Sequence, residues 1–91
     1  MLIKVLKAEG HSMEPIIKNG SFFIVSSIPY IFVKPKKDDN VVFRFKNKII
    51  VKRISGIANS KYIMEGLNKK DSKNFLDIDE KDILGKVIWI L

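Results

Sequence analysis

The sequence predicts a mainly β fold, built as one small, strongly coiled β-sheet or a partly open barrel. Three observations carry this. Helical periodicity fails along almost the whole chain. Short β-branched and aromatic runs recur instead, separated by polar turns at a spacing that suits consecutive short strands. And 91 residues hold only one core, so residues 1–91 are read as a single domain.

Phe22-Phe23-Ile24-Val25 reads as the first strand, after the turn Lys18-Asn19-Gly20. Ile28 to Val33 is apolar, but Pro29 and Pro35 make it a poor central strand. Asp38-Asp39-Asn40 is a turn, and Val41 to Phe45 the strand after it. Lys46-Asn47 has the look of a two-residue hairpin turn, although it lacks Gly. Lys48 to Ser55 is the return strand, Asn59-Ser60 punctuates, and Tyr62-Ile63-Met64-Glu65 is a further short strand. Asn68 to Asn74 reads as a loop, Asp77 to Ile83 as a turn of helix, and Lys86 to Leu91 as the closing strand.

Composition narrows the functions. With 46% hydrophobic and 30% charged residues the chain is that of a folded soluble protein, not a disordered one. No cysteine excludes a disulfide scaffold, a cysteine zinc site and a thiol nucleophile. A single histidine excludes a multi-histidine metal site, and neither metal nor cofactor is implied. No run approaches the roughly 20 apolar residues of a spanning helix, and the start is too short and too mixed for a secretory signal. A cytoplasmic or membrane-peripheral location without an anchor is therefore expected. The net charge of +7 suits nucleic acid, an anionic membrane or an acidic partner.

The most informative segment is Gly10-His11-Ser12-Met13-Glu14-Pro15-Ile16-Ile17-Lys18-Asn19-Gly20. Pro15 fixes its own φ and disfavours helical geometry at Glu14, so the chain turns here. Such a turn can expose the Ser12 hydroxyl beside free backbone N–H groups, which are the parts of an oxyanion hole. A polar turn with an N-capping Ser has the same look. A second segment, Ile49-Ile50-Val51-Lys52-Arg53-Ile54, supplies a lysine in apolar company. On a strand Ile50, Lys52 and Ile54 share one face, and Ile49, Val51 and Arg53 the other. This matters for base chemistry: a free lysine is only about one part in 2,500 neutral at pH 7, and burial raises that fraction. A snorkelling lysine with its ammonium in water is the competing reading.

The run from Ser12 to Pro15 resembles the Ser-Met-x-Pro box of the Ser-Lys dyad peptidases, the signal peptidase I and LexA-like group. Val51-Lys52-Arg53-Ile54 resembles the group's second box, and the order, Ser first and Lys about 40 residues later, agrees. The resemblance implies the LexA/signal peptidase core fold, Ser12 as nucleophile and Lys52 as general base. It assigns Gly10, His11 and Met13 to the oxyanion and substrate-binding segment, with Pro15 in support. Glu65 to Lys73 partly resembles the Gly-Asp-Asn…Ser-x-Asp-Ser-Arg region: Gly66, Asn68, Asp71 and Ser72 fit, Leu67 replaces Asp, and Lys69 stands where a base-orienting Ser is usual. Asp71 and Ser72 are thereby supporting residues. Gly85-Lys86-Val87 resembles the closing strand. Where membrane signal peptidases have a donor Ser two residues before the nucleophile, this chain has Gly10, which leaves the oxyanion to backbone N–H groups.

The expected activity is that of a serine endopeptidase acting on a separate protein or signal-peptide-like substrate, bound extended beside residues 10–13. His11, in an extended segment, would point away from Ser12, and Arg53 would pair with a carboxylate of another strand. Tyr30-Ile31-Phe32, followed by Lys34, Lys36 and Lys37, is either packed loop or peripheral membrane contact. Two alternatives stand beside the enzyme: an inactive relative serving as a binding module, and a basic β domain for nucleic acid. The second is disfavoured because the lysines are spread and no Arg–aromatic cluster repeats.

Overall fold

The computed structural model describes residues 2–71 and 73–91, apart from the side chain of Asp71. Ser72 therefore lies outside the described residues, and Asp71 is placed only as backbone.

Seven strands form one antiparallel sheet: β1 (Ile3–Lys7), β2 (Phe22–Ser26), β3 (Asn40–Phe45), β4 (Lys48–Ala58), β5 (Lys61–Glu65), β6 (Phe75–Ile78) and β7 (Ile83–Ile90). Their spatial order is β1-β2-β7-β3-β4-β5-β6, so the sheet is open, with β1 and β6 as its edges, and not a barrel. The last strand lies between β2 and β3 and joins the two halves. One short helix, α1 (Pro29–Phe32), follows β2.

Both hairpin turns in the middle of the sheet use left-handed pairs. Lys46 and Asn47 have φ of 49° and 65°, Asn59 and Ser60 of 52° and 65°. Paired positive φ is what a two-residue turn needs to match the strand twist, even where no Gly supplies it. Irregular register then bends the sheet. Ser55 is an extra residue of β4 against β5, and its hydroxyl donates to the Ile63 carbonyl oxygen at 3.3 Å. Leu84 and Ile88 are extra residues of β7 against β3 and β2. Each such bulge increases the local twist.

Three sequence expectations change. Ile3–Lys7, read only as a start too mixed for a signal, is a full edge strand. Asp77 to Ile83 is not a turn of helix. Its first two residues end β6, a 3₁₀ turn covers Glu80–Asp82, and Ile83 opens β7. The apolar stretch after β2 is neither strand nor loop, since Pro29 starts α1, where a missing N–H costs nothing.

The sheet is apolar on both faces. One face buries Val41, Phe43, Ile54, Tyr62, Met64, Phe75 and Ile78, with Phe75 set edge-on to Phe43 and Phe45 at ring separations of 5.3 and 4.8 Å. Tyr30 of α1 packs against this cluster, and its hydroxyl donates to Asp39 Oδ2 at 2.8 Å. Asp39 is buried, also accepts the Lys36 N–H and meets Lys86 Nζ at 3.5 Å. Burial, and then the Asp39 carboxylate, push the Tyr30 phenol far above its ordinary value. The opposite face buries Ala8, Met13, Ile17, Phe23, Val25 and Val42, with Leu6, Val51, Leu67, Leu84 and Val87 around them.

Gly85 marks the tightest crossing. A Cβ there would sit 2.8 Å from the Ser26 carbonyl oxygen and 2.9 Å from Val25 Cγ2. Backbone cannot retreat as a side chain can, so Gly85→Ala should lower stability by about 1–3 kcal/mol in denaturant titration. The raised Tyr30 pKa makes a second prediction. The unfolded phenol ionises near pH 10 while the folded one stays protonated, so this contribution is complete below that pH and is lost as pH rises. Stability curves should fall more steeply above about pH 10 for the wild type than for Tyr30→Phe.

Candidate active site

Ser12 sits at the tip of a closed loop of residues 8–21, pinned at its neck. The Ala8 N–H donates to the Ser21 carbonyl and the Gly20 N–H to the Ala8 carbonyl, both at 2.8 Å. One step further in, the Gly10 N–H donates to Asn19 Oδ1 at 2.9 Å. Gly10 and Gly20 take φ of 91° and 84°, a region that glycine enters without Cβ strain. Beyond the neck the chain turns: the Glu14 N–H bonds the His11 carbonyl and the Ile17 N–H the Met13 carbonyl. Met13 and Ile17 are driven into the core against Val42 and Phe23, and this anchors the tip from below.

Three expectations about this segment are corrected. Residues 11–13 are turn, not extended chain, so they cannot themselves accept an added strand. The Gly10 N–H is used in the neck. The Met13 side chain is core, which leaves only its backbone facing the site. His11 is exposed, as a surface reading has it, but its Nδ1 lies 3.0 Å from Glu14 Oε1. Pro15 is exposed beside it. The His11 hydrogen bond, followed by the Asn19 N–H, holds the Glu14 carboxyl below its ordinary 4.5. Neither Glu14 nor Asn19 was singled out from sequence. The signal was there in Asn-Gly closing a loop that a Gly had opened.

A long-range bond ties the tip to the other half of the chain. The Asn68 N–H donates to the Ser12 carbonyl oxygen at 2.9 Å, and Leu67 beside it packs into the core under the loop. Asn68 follows β5 by three residues, and Glu65 at the end of β5 stands opposite Arg53 of β4. The topology thus brings the loop bearing Ser12, residues 66–71 and the Lys52–Arg53 stretch of β4 to one end of the sheet.

Lys52 itself is only 5% exposed. It lies across the ladder from the fully buried Val41, and strand alternation puts it with Ile50 and Ile54. The snorkelling reading is therefore excluded for this residue. Arg53 turns the other way, and its Nε donates to Asn40 Oδ1 at 3.2 Å rather than to a carboxylate. Lys69 and Lys70 open a 3₁₀ turn, Lys69–Asp71, and are exposed.

Next to the loop runs a largely apolar groove of about 150 Å³, lined by Leu6, Ala8, Phe23, Val42, Ile49 and Val51, with Lys7 at it as well. Most of these line the same core cluster as Met13 and Ile17, and one wall is β1 at the open edge of the sheet. Sequence reading missed the groove because it missed β1. The alternation in Ile3-Lys4-Val5 breaks at Leu6, and a five-residue edge strand gives little pattern to find.

The family model for Peptidase S24-like proteins matches residues 3–88, every strand but the last residues of β7. The chain belongs to the Peptidase S24-like family, and its open, coiled β-sheet agrees with that membership. Comparison with curated proteins and with solved structures found no match.

The His11–Glu14 contact can be read directly. Glu14 should titrate below 4.5 by NMR in the wild type, and His11→Ala should bring it back toward that value.

Proposed function

We propose that the protein is a serine endopeptidase in which Ser12 is the nucleophile and Lys52 the general base. The observation that carries this is a serine held at the tip of a pinned loop, in a peptidase-family chain whose β4 buries a lysine at the same end of the sheet, on the Val41 side of the ladder while the loop packs on the Val42 side. Burial in general disfavours the charged form of an amine, which suits a base that must be neutral to act, and Lys52 is buried on the ladder opposite Val41.

The steps follow from these groups. Lys52 takes the proton of the Ser12 hydroxyl as its oxygen attacks the scissile carbonyl. The tetrahedral oxyanion is met by main-chain N–H groups at the loop tip, that of Ser12 first, since the Gly10 N–H is committed to Asn19. Lys52 returns the proton to the leaving amine, and an acyl-Ser12 ester remains. Water, deprotonated by Lys52, then attacks the ester and frees Ser12. The substrate lies extended along the open edge of β1, with small apolar side chains in the groove between Ala8, Val42 and Val51.

Incubation with candidate protein substrates tests this. Ser12→Ala and Lys52→Met should each lower kcat about 10³-fold or more with the fold retained by circular dichroism. Acid quench should trap an acyl mass on the Ser12 peptide, and the rate should rise with pH through one ionisation below that of free lysine. Equal turnover by wild type and both variants overturns the assignment.

A further inference from the structure

Among the described residues nothing covers the outer side of β1, β2 and β7 near Val5 and Trp89. Register places Val5, Ile24 and Trp89 side by side across the three strands, with Ile3 and Phe22 in the flanking rows. Val5 is 52% exposed and Trp89 65%. This is the same face that, further along the sheet, carries Val41, Phe43 and Ile54, as the pairings Ser26 with Lys86 and Lys86 with Val41 show. On that face α1 is seated through Tyr30, and it projects Ile31 and Phe32 outward, Phe32 being 80% exposed. Strands and helix together therefore present one apolar surface on one side of the molecule.

Its charges are of one sign. On this face the three strands carry Lys7 and Lys86, and none of the three contains an acidic residue. Ile28 to Lys37 adds Lys34, Lys36 and Lys37 and again no acid. Lys7 lies 6.0 Å from the Phe22 ring centre, at the margin of the patch. Asp39, which meets Lys86 and Tyr30, is buried.

We propose that this face binds an anionic lipid bilayer. Tryptophan, phenylalanine and aliphatic side chains enter the headgroup boundary while the lysines at the margin meet lipid phosphates. A second copy of the chain is the poorer occupant, because stacking the face on itself opposes two lysine margins on molecules of charge +7. The attachment is superficial: among the described residues no helix is long and apolar enough to cross a membrane. The proposal rests on surface alone and stands apart from the Ser12–Lys52 reading.

Trp89 is the only tryptophan, so it reports on its own face. With vesicles of phosphatidylglycerol and phosphatidylcholine its emission should shift to the blue and the protein should float with the lipid. Pure phosphatidylcholine should bind far less, and salt should weaken the anionic case. Val5→Thr combined with Phe32→Ser, both at exposed positions, should reduce binding at least tenfold. Lys7→Gln and Lys36→Gln should each reduce it about fivefold. Three results overturn the proposal: no shift and no flotation on anionic vesicles; undiminished binding by the Val5/Phe32 variant; or a lipid-independent shift that appears with a dimer mass as concentration rises.

Discussion

A sheet that is apolar on both faces needs two covers, and this chain has little besides the sheet to make them from. The solution is asymmetric. One face is covered by the closed loop of residues 8–21, which drops Met13 and Ile17 onto Phe23, Val25 and Val42. The other is covered partly by the sheet's own curl, which brings β5 and β6 over Phe43 through the Phe75 ring, and partly by α1. Bulges at Ser55, Leu84 and Ile88 give the sheet the bend that this requires. β7 is central to the arrangement, because it joins the halves and admits only glycine where it passes β2.

The first cover is also the carrier of Ser12, so packing and site geometry are one structure. The side chains that fill the core, Met13 and Ile17, are one and five residues from the serine. Their burial sets the height of the tip above the sheet, while the neck bonds set its direction and the Asn68 bond its distance from β4 and β5. The proposed chemistry draws on this geometry together with Peptidase S24-like membership and the buried lysine on β4. The second cover is incomplete and leaves Val5 and Trp89 exposed, with Ile24 half-buried between them.

Much of this could be read from the residues, and the failures have physical causes. β2 to β5 announce themselves by composition and by the polar pairs between them, and both hairpins form where Lys46-Asn47 and Asn59-Ser60 predict turns. The burial of Lys52 was legible in its neighbours Ile50 and Ile54, since alternation is a local property. β6 was not legible. Tyr62 faces Ile78 and Met64 faces Phe75, so three steps of β6 match two of β5, and its buried residues fall at a spacing that mimics a helix. Leu84 and Ile88 blur β7 in the same way. The turn around Glu14 and Pro15 was legible, but the extended geometry expected at residues 10–13 is not found, because the loop's form depends on Asn19 and Ser21 meeting residues that precede it. A bond such as Asn68 to Ser12 leaves no trace in local pattern at all.

That bond has a consequence for how the molecule comes to be. Ser12 is synthesised before Asn68, which comes more than fifty residues later. Between them lie β2, β3, β4 and β5, and the β3–β4 and β4–β5 hairpins carry residues 66–68 toward the loop. Contacts so distant in sequence form late, after the local hairpins have met their loop-closure entropy. The loop tip is thus among the last parts to take its final shape. Whatever chemistry resides at Ser12 is withheld from the nascent and half-folded chain, when its own unpaired strands would be the nearest extended polypeptide to hand.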